Sequence, residues 1–325
     1  MFELAPGVYA ETSFYNSNTG FILTDDGVIC FDTPMIPNEA KSWRATIDAN
    51  SGGGPIRYVI VTDHHRGHCL GSQWLSDVVI AHEIAWKHMR NYSDNFKQRV
   101  RDSFKKQPEI RAQFTDLRIV VPTITFQDKL TVVRGNRVVR VIHVKGHTPA
   151  TSIIWLPKER VLFSGDIVWL DQHPFMTQAN SKEWLEALRL IQKLDPKYIV
   201  PGHGPICSVK ELDYLIEYLT FLRERTRNLF DAGLTKQETA SLLTPEMRPW
   251  FPIPSKRSSK IESQIRSGIG RVYDEFRREK ETKEAMVAAE AAAEAELAAI
   301  ALMEAVDIAE AAESAEAVSA DGDED

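Results

Sequence analysis

Asp63, His64, His65 and His68 crowd into six positions directly after the apolar run Tyr58-Val59-Ile60-Val61. That run reads as a buried strand ending in a polar cluster. Imidazoles and a carboxylate packed this closely are costly to leave unpaired, and a divalent cation held by neutral nitrogen and carboxylate oxygen relieves that cost. Taken alone, a loop merely rich in histidine would look the same. Three further candidate ligands recur downstream, each after a strand-like run. His147 lies in Gly146-His147-Thr148-Pro149 after Val138 to Val144. Asp166 lies in Ser164-Gly165-Asp166 after Arg160 to Phe163, and His203 in Pro201-Gly202-His203-Gly204 after Tyr198 to Val200. His82 and His88 flank a helical stretch and read as cap or surface residues.

This order and spacing resemble the metallo-β-lactamase-fold superfamily. Its first motif reads His-x-His-x-Asp-His, and its later ligands are a His in Gly-His-Thr, a metal-bridging Asp and a His in Pro-Gly-His-Gly. The resemblance covers about the first two thirds of the chain. It departs from the family at two ligands: aligned on Thr62 and Gly71, the family's first His is Asp63 and its Asp is Gly67. The resemblance implies an α/β (α+β) fold, a four-layer αββα sandwich of two mixed β-sheets flanked by helices. It further implies one metal held by Asp63, His65 and His147, a second by His68 and His203, and Asp166 bridging them, with Asp32-Thr33 supporting the loops. An Asp at position 63 is shorter than His and needs an inward backbone shift or an intervening water to reach the first metal. The carboxylate missing at Gly67 would have bound the second metal and oriented the attacking water, and Asp63 returns one negative charge to the pocket.

The nitrogen and oxygen donor set favours zinc, one or two ions, with iron or manganese as alternatives. The reaction class implied is hydrolysis, the ion polarising a carbonyl or phosphoryl oxygen while a metal-bound water attacks. The substrate is expected to be a small-molecule ester, thioester, lactone, lactam or phosphodiester, and the scaffold does not choose among them. Two other classes remain open: an iron-dependent oxidoreductase of the same fold, and a catalytically silent binding protein with a degenerate metal site. The loop from Trp169 to Asn180 is expected to face the pocket, with His173 as a substrate contact.

The elements that must position these residues follow from pattern and punctuation. Strand-like runs at Gly7 to Phe14, Gly20 to Thr24 and Val28 to Phe31, with the turn Asp25-Asp26-Gly27, predict an N-terminal antiparallel sheet. A helix from Pro37 to Ala49 ends at Ser51-Gly52-Gly53-Gly54-Pro55. Strands are predicted at Val78 to Ala81, Ile119 to Val121, Ile124 to Phe126, Leu130 to Val133, Val138 to Val144, Ser152 to Leu156 and Val161 to Phe163. The charged stretch from Asn91 to Arg118 reads as a helical insertion. Asn180, Ser208 and Thr235, each followed three residues later by Glu, mark helix starts. The domains expected are residues 1–207 as the catalytic sandwich, 208–283 as a helical cover and 284–325 as an acidic tail.

Composition sets outer bounds. Hydrophobic residues make up 43% of the 325, ample for a core. No apolar run is long enough to span a bilayer and no signal-peptide pattern opens the chain, so a cytoplasmic protein without a membrane partner is expected. Three cysteines, Cys30, Cys69 and Cys207, have no paired spacing and argue against a disulfide framework. The net charge of −7 hides an asymmetry: the thirteen acidic residues after Lys283 meet no Lys or Arg, leaving residues 1–283 at +6. Basic residues from Arg99 to Lys106 and Lys256 to Lys260 lack an aromatic stacking platform, which argues against nucleic acid as a partner. The Ala- and Glu-rich tail favours helix. Its apolar residues Ile300, Leu302, Met303, Val306 and Ile308 could support weak self-association, whereas Asp321 to Asp325 have nothing to bury.

Overall fold

The computed structural model describes residues 1–320, without the side chains of 304, 306, 307 and 310–320. The expectations for Val306 and for residues 321–325 therefore lie outside the described residues. Among the described residues, twelve strands form two mixed sheets. The first carries, in spatial order, β1 (Phe2–Ala5), β2 (Val8–Glu11), β3 (Thr19–Thr24), β4 (Gly27–Phe31), β5 (Ile56–Ile60), β6 (Val79–His82) and β7 (Ile124–Phe126). Its N-terminal strands pair antiparallel through hairpins, and β4 to β7 pair parallel through helical crossovers. The second sheet runs from β8 (Lys129–Arg134) through β9 (Arg137–His143), β10 (Ser152–Leu156) and β11 (Val161–Trp169) to β12 (Tyr198–His203). Its last pair is parallel and the others antiparallel.

Helices α1 (Pro37–Ser51), α2 (Arg66–Cys69), α3 (Glu83–Met89), α4 (Asp94–Ser103) and α5 (Pro108–Gln113) belong to the first half. Trp43 and Ile47 of α1, Ala85 and Met89 of α3, and Val100 of α4 bury with Phe21, Val59 and Leu70 on the outer face of the first sheet. A second core, including Ile22, Phe31, Ile60, Val141, Ile154, Phe163 and Val200, fills the space between the sheets, with the rings of Phe31 and Phe163 4.7 Å apart. Helix α6 (Ser181–Leu194) buries Trp184, Leu185, Leu188 and Ile191, and the Trp184 indole donates to the Ile167 carbonyl of β11 at 2.8 Å. The layers are therefore helix, sheet, sheet, helix, as expected of an α/β sandwich.

Helices α7 (Leu212–Asp231), α8 (Lys236–Met247) and α9 (Ser258–Ala320) follow. Ser208 with Glu211 and Thr235 with Glu238 form full capping boxes ahead of α7 and α8, the first through a short 3₁₀ turn. The chain divides into compact units Met1–Tyr273 and Asp274 onward, so the helical stretch after residue 207 belongs, as far as Tyr273, to the same unit as the sandwich. No helix among the described residues is long and apolar enough to cross a membrane.

Candidate metal centre

All six sequence-derived ligands sit in segments at the carboxyl ends of strands. Asp63, His65 and His68 follow β5, His147 lies between β9 and β10, Asp166 is inside β11, and His203 closes β12. Strand β11 runs past the expected Phe163 because a register irregularity at Phe163 to Gly165 lets it continue beside β12. Gly165 has φ +49°, and a Cβ there would collide with the Thr62 side chain. A Cβ on Gly202 would collide with Asp166 Oδ1, so the bare backbone of the Pro-Gly-His-Gly loop makes room for that carboxylate.

Asp32, at the end of β4, fixes the first ligand loop. Its Oδ1 accepts from Thr62 N at 2.7 Å, and its Oδ2 accepts from Thr62 Oγ1 at 2.7 Å and lies 2.8 Å from His68 Nδ1. With Nδ1 turned to Asp32, His68 presents Nε2 to Asp166. Thr33 adds a bond from its hydroxyl to the His68 carbonyl at 2.9 Å.

Three groups of candidate ligand atoms converge among the described residues: one is Asp63, His64 and His65, and the other two share Asp166. In one of these two, His147 Nε2 lies 3.1 Å from His65 Nδ1 and 3.2 Å from Asp166 Oδ2. In the other, His68 Nε2 and His203 Nε2 each lie 3.2 Å from Asp166 Oδ1. These separations fit donors around one small cation: ligands at zinc bond lengths on a tetrahedron are about 3.3 Å apart. His68 Nε2 and Asp166 Oδ1 are buried and make no hydrogen bond, as is His147 Nδ1. Burial pushes the Asp166 carboxyl up, but the imidazoles of His68, His203 and His147 outweigh it and hold the group well below the usual carboxylate range. Burial draws His68 down, yet Asp166 and Asp32 on either side hold it well above the ordinary imidazole value. A bound cation would neutralise that same buried negative charge. His65 is drawn down to about 4, first by burial and then by the neighbouring imidazoles against the pull of Asp63, so its ring is neutral near pH 7.

Two of the expected site residues have other partners in the structure. Asp63 does not join the group of His65, His147 and Asp166. Its fully buried carboxylate accepts from Thr148 Oγ1 and Thr151 Oγ1 at 2.8 Å each, and from His65 N at 3.1 Å. The shorter side chain is thus satisfied by hydroxyls from the His147 loop. Burial raises Asp63, but His65, His64 and His147 overcome this and keep it well below the usual range. His173 does not reach the ligand groups either. It is buried, with its ring 5.2 Å from that of Phe251, Nδ1 3.4 Å from Tyr218 Oη and Nε2 3.4 Å from the Arg248 carbonyl. The helices after β12 cover this part of the loop, and an imidazole with a polar partner at each nitrogen is stable beneath them. The loop does meet the site elsewhere: Gln178 Oε1 lies 2.8 Å from His65 Nε2, and the partly exposed Phe175 ring is 6.5 Å from that of His65. Neither Gln178 nor its role carried a signal in the sequence. His64 turns its Nδ1 to Asp63 Oδ1 at 3.0 Å and stacks on His88 at 4.1 Å.

Residues 12–203, more than half of the chain, match the family model described as the metallo-beta-lactamase superfamily. The chain belongs to that superfamily. Among relatives of this metallo-β-lactamase-fold protein, the beta-lactamase-like protein 2 homolog of Caenorhabditis elegans is 25% identical over 195 residues, 58% of this chain. The match spans only 55% of that relative's length. A metallo-beta-lactamase type 2 of Elizabethkingia meningoseptica is 24% identical over 238 residues, 69% of this chain and 86% of its own. Among solved structures, the inverting sec-alkylsulfatase Pisa1 from Pseudomonas sp. superposes with a TM-score of 0.68 at 16% identity, over 85% of this chain and 50% of that one.

Proposed function

We propose that this superfamily member is a metal-dependent hydrolase. His65, His147 and Asp166 hold one divalent cation, and His68, His203 and Asp166 a second, with zinc favoured by the donor set. One observation carries the reading: four ligand-atom pairs from loops far apart in sequence stand 3.1–3.2 Å from one another, and among them His68 Nε2 and Asp166 Oδ1 are buried without a hydrogen bond. Each set has two nitrogens and one oxygen, leaving coordination positions free, as catalytic rather than structural zinc sites do.

A cation bound there supplies Lewis acidity towards a carbonyl or phosphoryl oxygen and a water made nucleophilic near neutral pH. The chain's own residues organise the site. Asp32 orients the ring of His68, and Gln178 holds Nε2 of His65 so that Nδ1 faces His147. The Asp166 carboxylate stays ionised against burial and is shared by both sets. Phe175 offers an apolar edge beside His65 for a substrate's carbon skeleton.

The substrate is a small-molecule ester, thioester, lactone, lactam or phosphodiester, and the likeness to the alkylsulfatase adds an alkyl sulfate ester to that set. Metal quantitation on the purified chain, followed by turnover assays over these substrates, tests the reading. One to two zinc ions per chain with hydrolysis of at least one class is the expected result, and well under one transition-metal ion per chain overturns it. The donor sets also favour a second reading, since two histidines and one carboxylate with free positions is the arrangement of non-haem iron oxygenases. Iron in protein isolated from cells, together with oxygen consumption, would decide for that alternative.

A further inference from the structure

Gly67 lacks the carboxylate expected between His65 and His68, and the space beside it is filled from another part of the chain. A Cβ built on Gly67 would collide with Asn16 Nδ2 and stand 3.2 Å from Asn16 Cγ and 3.3 Å from Ser17 Oγ. The segment carrying Asn16 connects β2 to β3 and is fastened to both loops that supply histidines to the second ligand group. Ser17 Oγ donates to the Gly67 carbonyl. Asn18 N donates to the Gly202 carbonyl at 2.9 Å, and Asn18 Nδ2 donates to the carbonyls of Pro201 and Gly204 at 2.8 and 2.9 Å. Ser17 and Asn18 are buried and Asn16 half-buried. These bonds hold the Asn16 side chain where a residue-67 side chain would begin, between the His68 and His203 loops.

We propose that the Asn16 carboxamide takes the place of the missing residue-67 side chain and is the fourth protein donor, a neutral oxygen, of the His68, Asp166 and His203 cation position. The proposal rests on the metal reading above. A half-turn of the amide exchanges its nitrogen and oxygen, so either end can be presented. An uncharged oxygen in place of a carboxylate leaves Asp166, shared with the first set, as the only anion of that set, so the second cation is held more weakly than a carboxylate at position 67 would hold it.

The test uses the full chain, stripped of metal and titrated with zinc against a chromophoric chelator. Asn16→Ala is expected to weaken the second ion about tenfold or more and leave the first within about twofold. Asn16→Asp is expected to tighten the second ion relative to the wild type. Thermal unfolding of the metal-free chain reads the shared space directly. Gly67→Asp should lower Tm in the wild-type background and cost markedly less in Asn16→Ala, a coupling expected only of groups competing for one volume. Zinc constants in Asn16→Ala matching those of the wild type overturn the assignment and leave the hydrolase reading standing. A Gly67→Asp penalty equal in both backgrounds likewise overturns it. A wild-type chain that takes up well under one zinc ion sinks the hydrolase reading itself, and the Asn16 donor with it.

Discussion

Asp32 and Asp63 are buried carboxylates from adjacent strand ends that do different work, and single substitutions separate them. Asp32 accepts from both Thr62 donors and orients His68, so Asp32→Asn keeps the shape but loses the charge and lets the amide present a donor to the ring. Losing such an orienting partner typically costs about 10–100-fold in metal affinity. Chelator competition on Asp32→Asn should show a fall in that range, and unchanged affinity would mean that His68 needs no orientation. Asp63 instead satisfies the hydroxyls of Thr148 and Thr151. Asp63→Ala strands those buried groups, and about 1–3 kcal/mol of stability should disappear in urea unfolding. The more conservative Asp63→Asn should keep the wild-type metal stoichiometry; loss of one ion per chain would restore Asp63 to the ligand set that the sequence implied.

At the scale of elements, strand ends and the loops they launch decide the geometry. Gly202 is the tightest of these points, because its missing Cβ is the room that Asp166 Oδ1 occupies. Gly202→Ala should displace the carboxylate shared by both ligand sets, so metal content should fall well below that of the wild type while far-ultraviolet circular dichroism stays close to it. Helix α3 offers a pH test away from the ligands. His82 caps it by accepting from Ile84 N at 3.1 Å through Nδ1, and its ring stacks on His143 at 3.7 Å. Burial first, and then His143, draws its pKa from 6.5 to about 4. The unfolded chain therefore takes up the proton more readily, so this contribution is complete above pH 6.5 and is lost as pH falls through about 4. Urea midpoints should drop over that interval and drop less in His82→Asn, which keeps a capping oxygen without a titrating ring.

These same elements show what could be read from the chain alone. Apolar runs followed by loops bearing His or Asp gave away β5, β9 and β12, because a strand ends where its polar loop begins. The αββα layering was what the family resemblance implied, and those runs with the caps at Asn180, Ser208 and Thr235 fit it. The run Ile119 to Val121 forms no strand, although Val120 is buried, since hydrophobicity alone does not supply a pairing edge. Strand β1 was missed because it is a four-residue run with no fully buried residue, only Leu4 and Ala5 reaching the core in part. At the site, the histidines and Asp166 were legible by spacing. Gln178, Asn18 and Asn16 were not, because common amide residues acquire a role only when distant loops meet.

For the whole molecule, charge and burial divide the chain near its end. Residues 1–283 carry +6, and the segment beyond carries −13 with no cation to pair along it. Helix α9 runs without a break from Ser258 through this segment as far as Ala320. Its continuity follows from composition: Ala and Glu are strong helix formers, and nothing between Ser258 and Ala320 is Pro. Met286, Val287, Leu297, Ile300, Leu302, Met303 and Ile308 are exposed, so these side chains contribute no core. None of the candidate ligands or their orienting partners falls in it. Ending the chain at Lys283 should therefore leave metal stoichiometry and turnover within about twofold of the full-length protein and the urea midpoint close to unchanged, since exposed substitutions and deletions rarely move stability by more than about 0.5 kcal/mol. Ion exchange should change sharply, from an anionic to a cationic protein at neutral pH. Sedimentation of the two forms reads the remaining role of the segment: a full-length chain heavier than a monomer whose truncated form is monomeric assigns self-association to these exposed apolar residues, whereas loss of turnover on truncation would place the tail in the working enzyme.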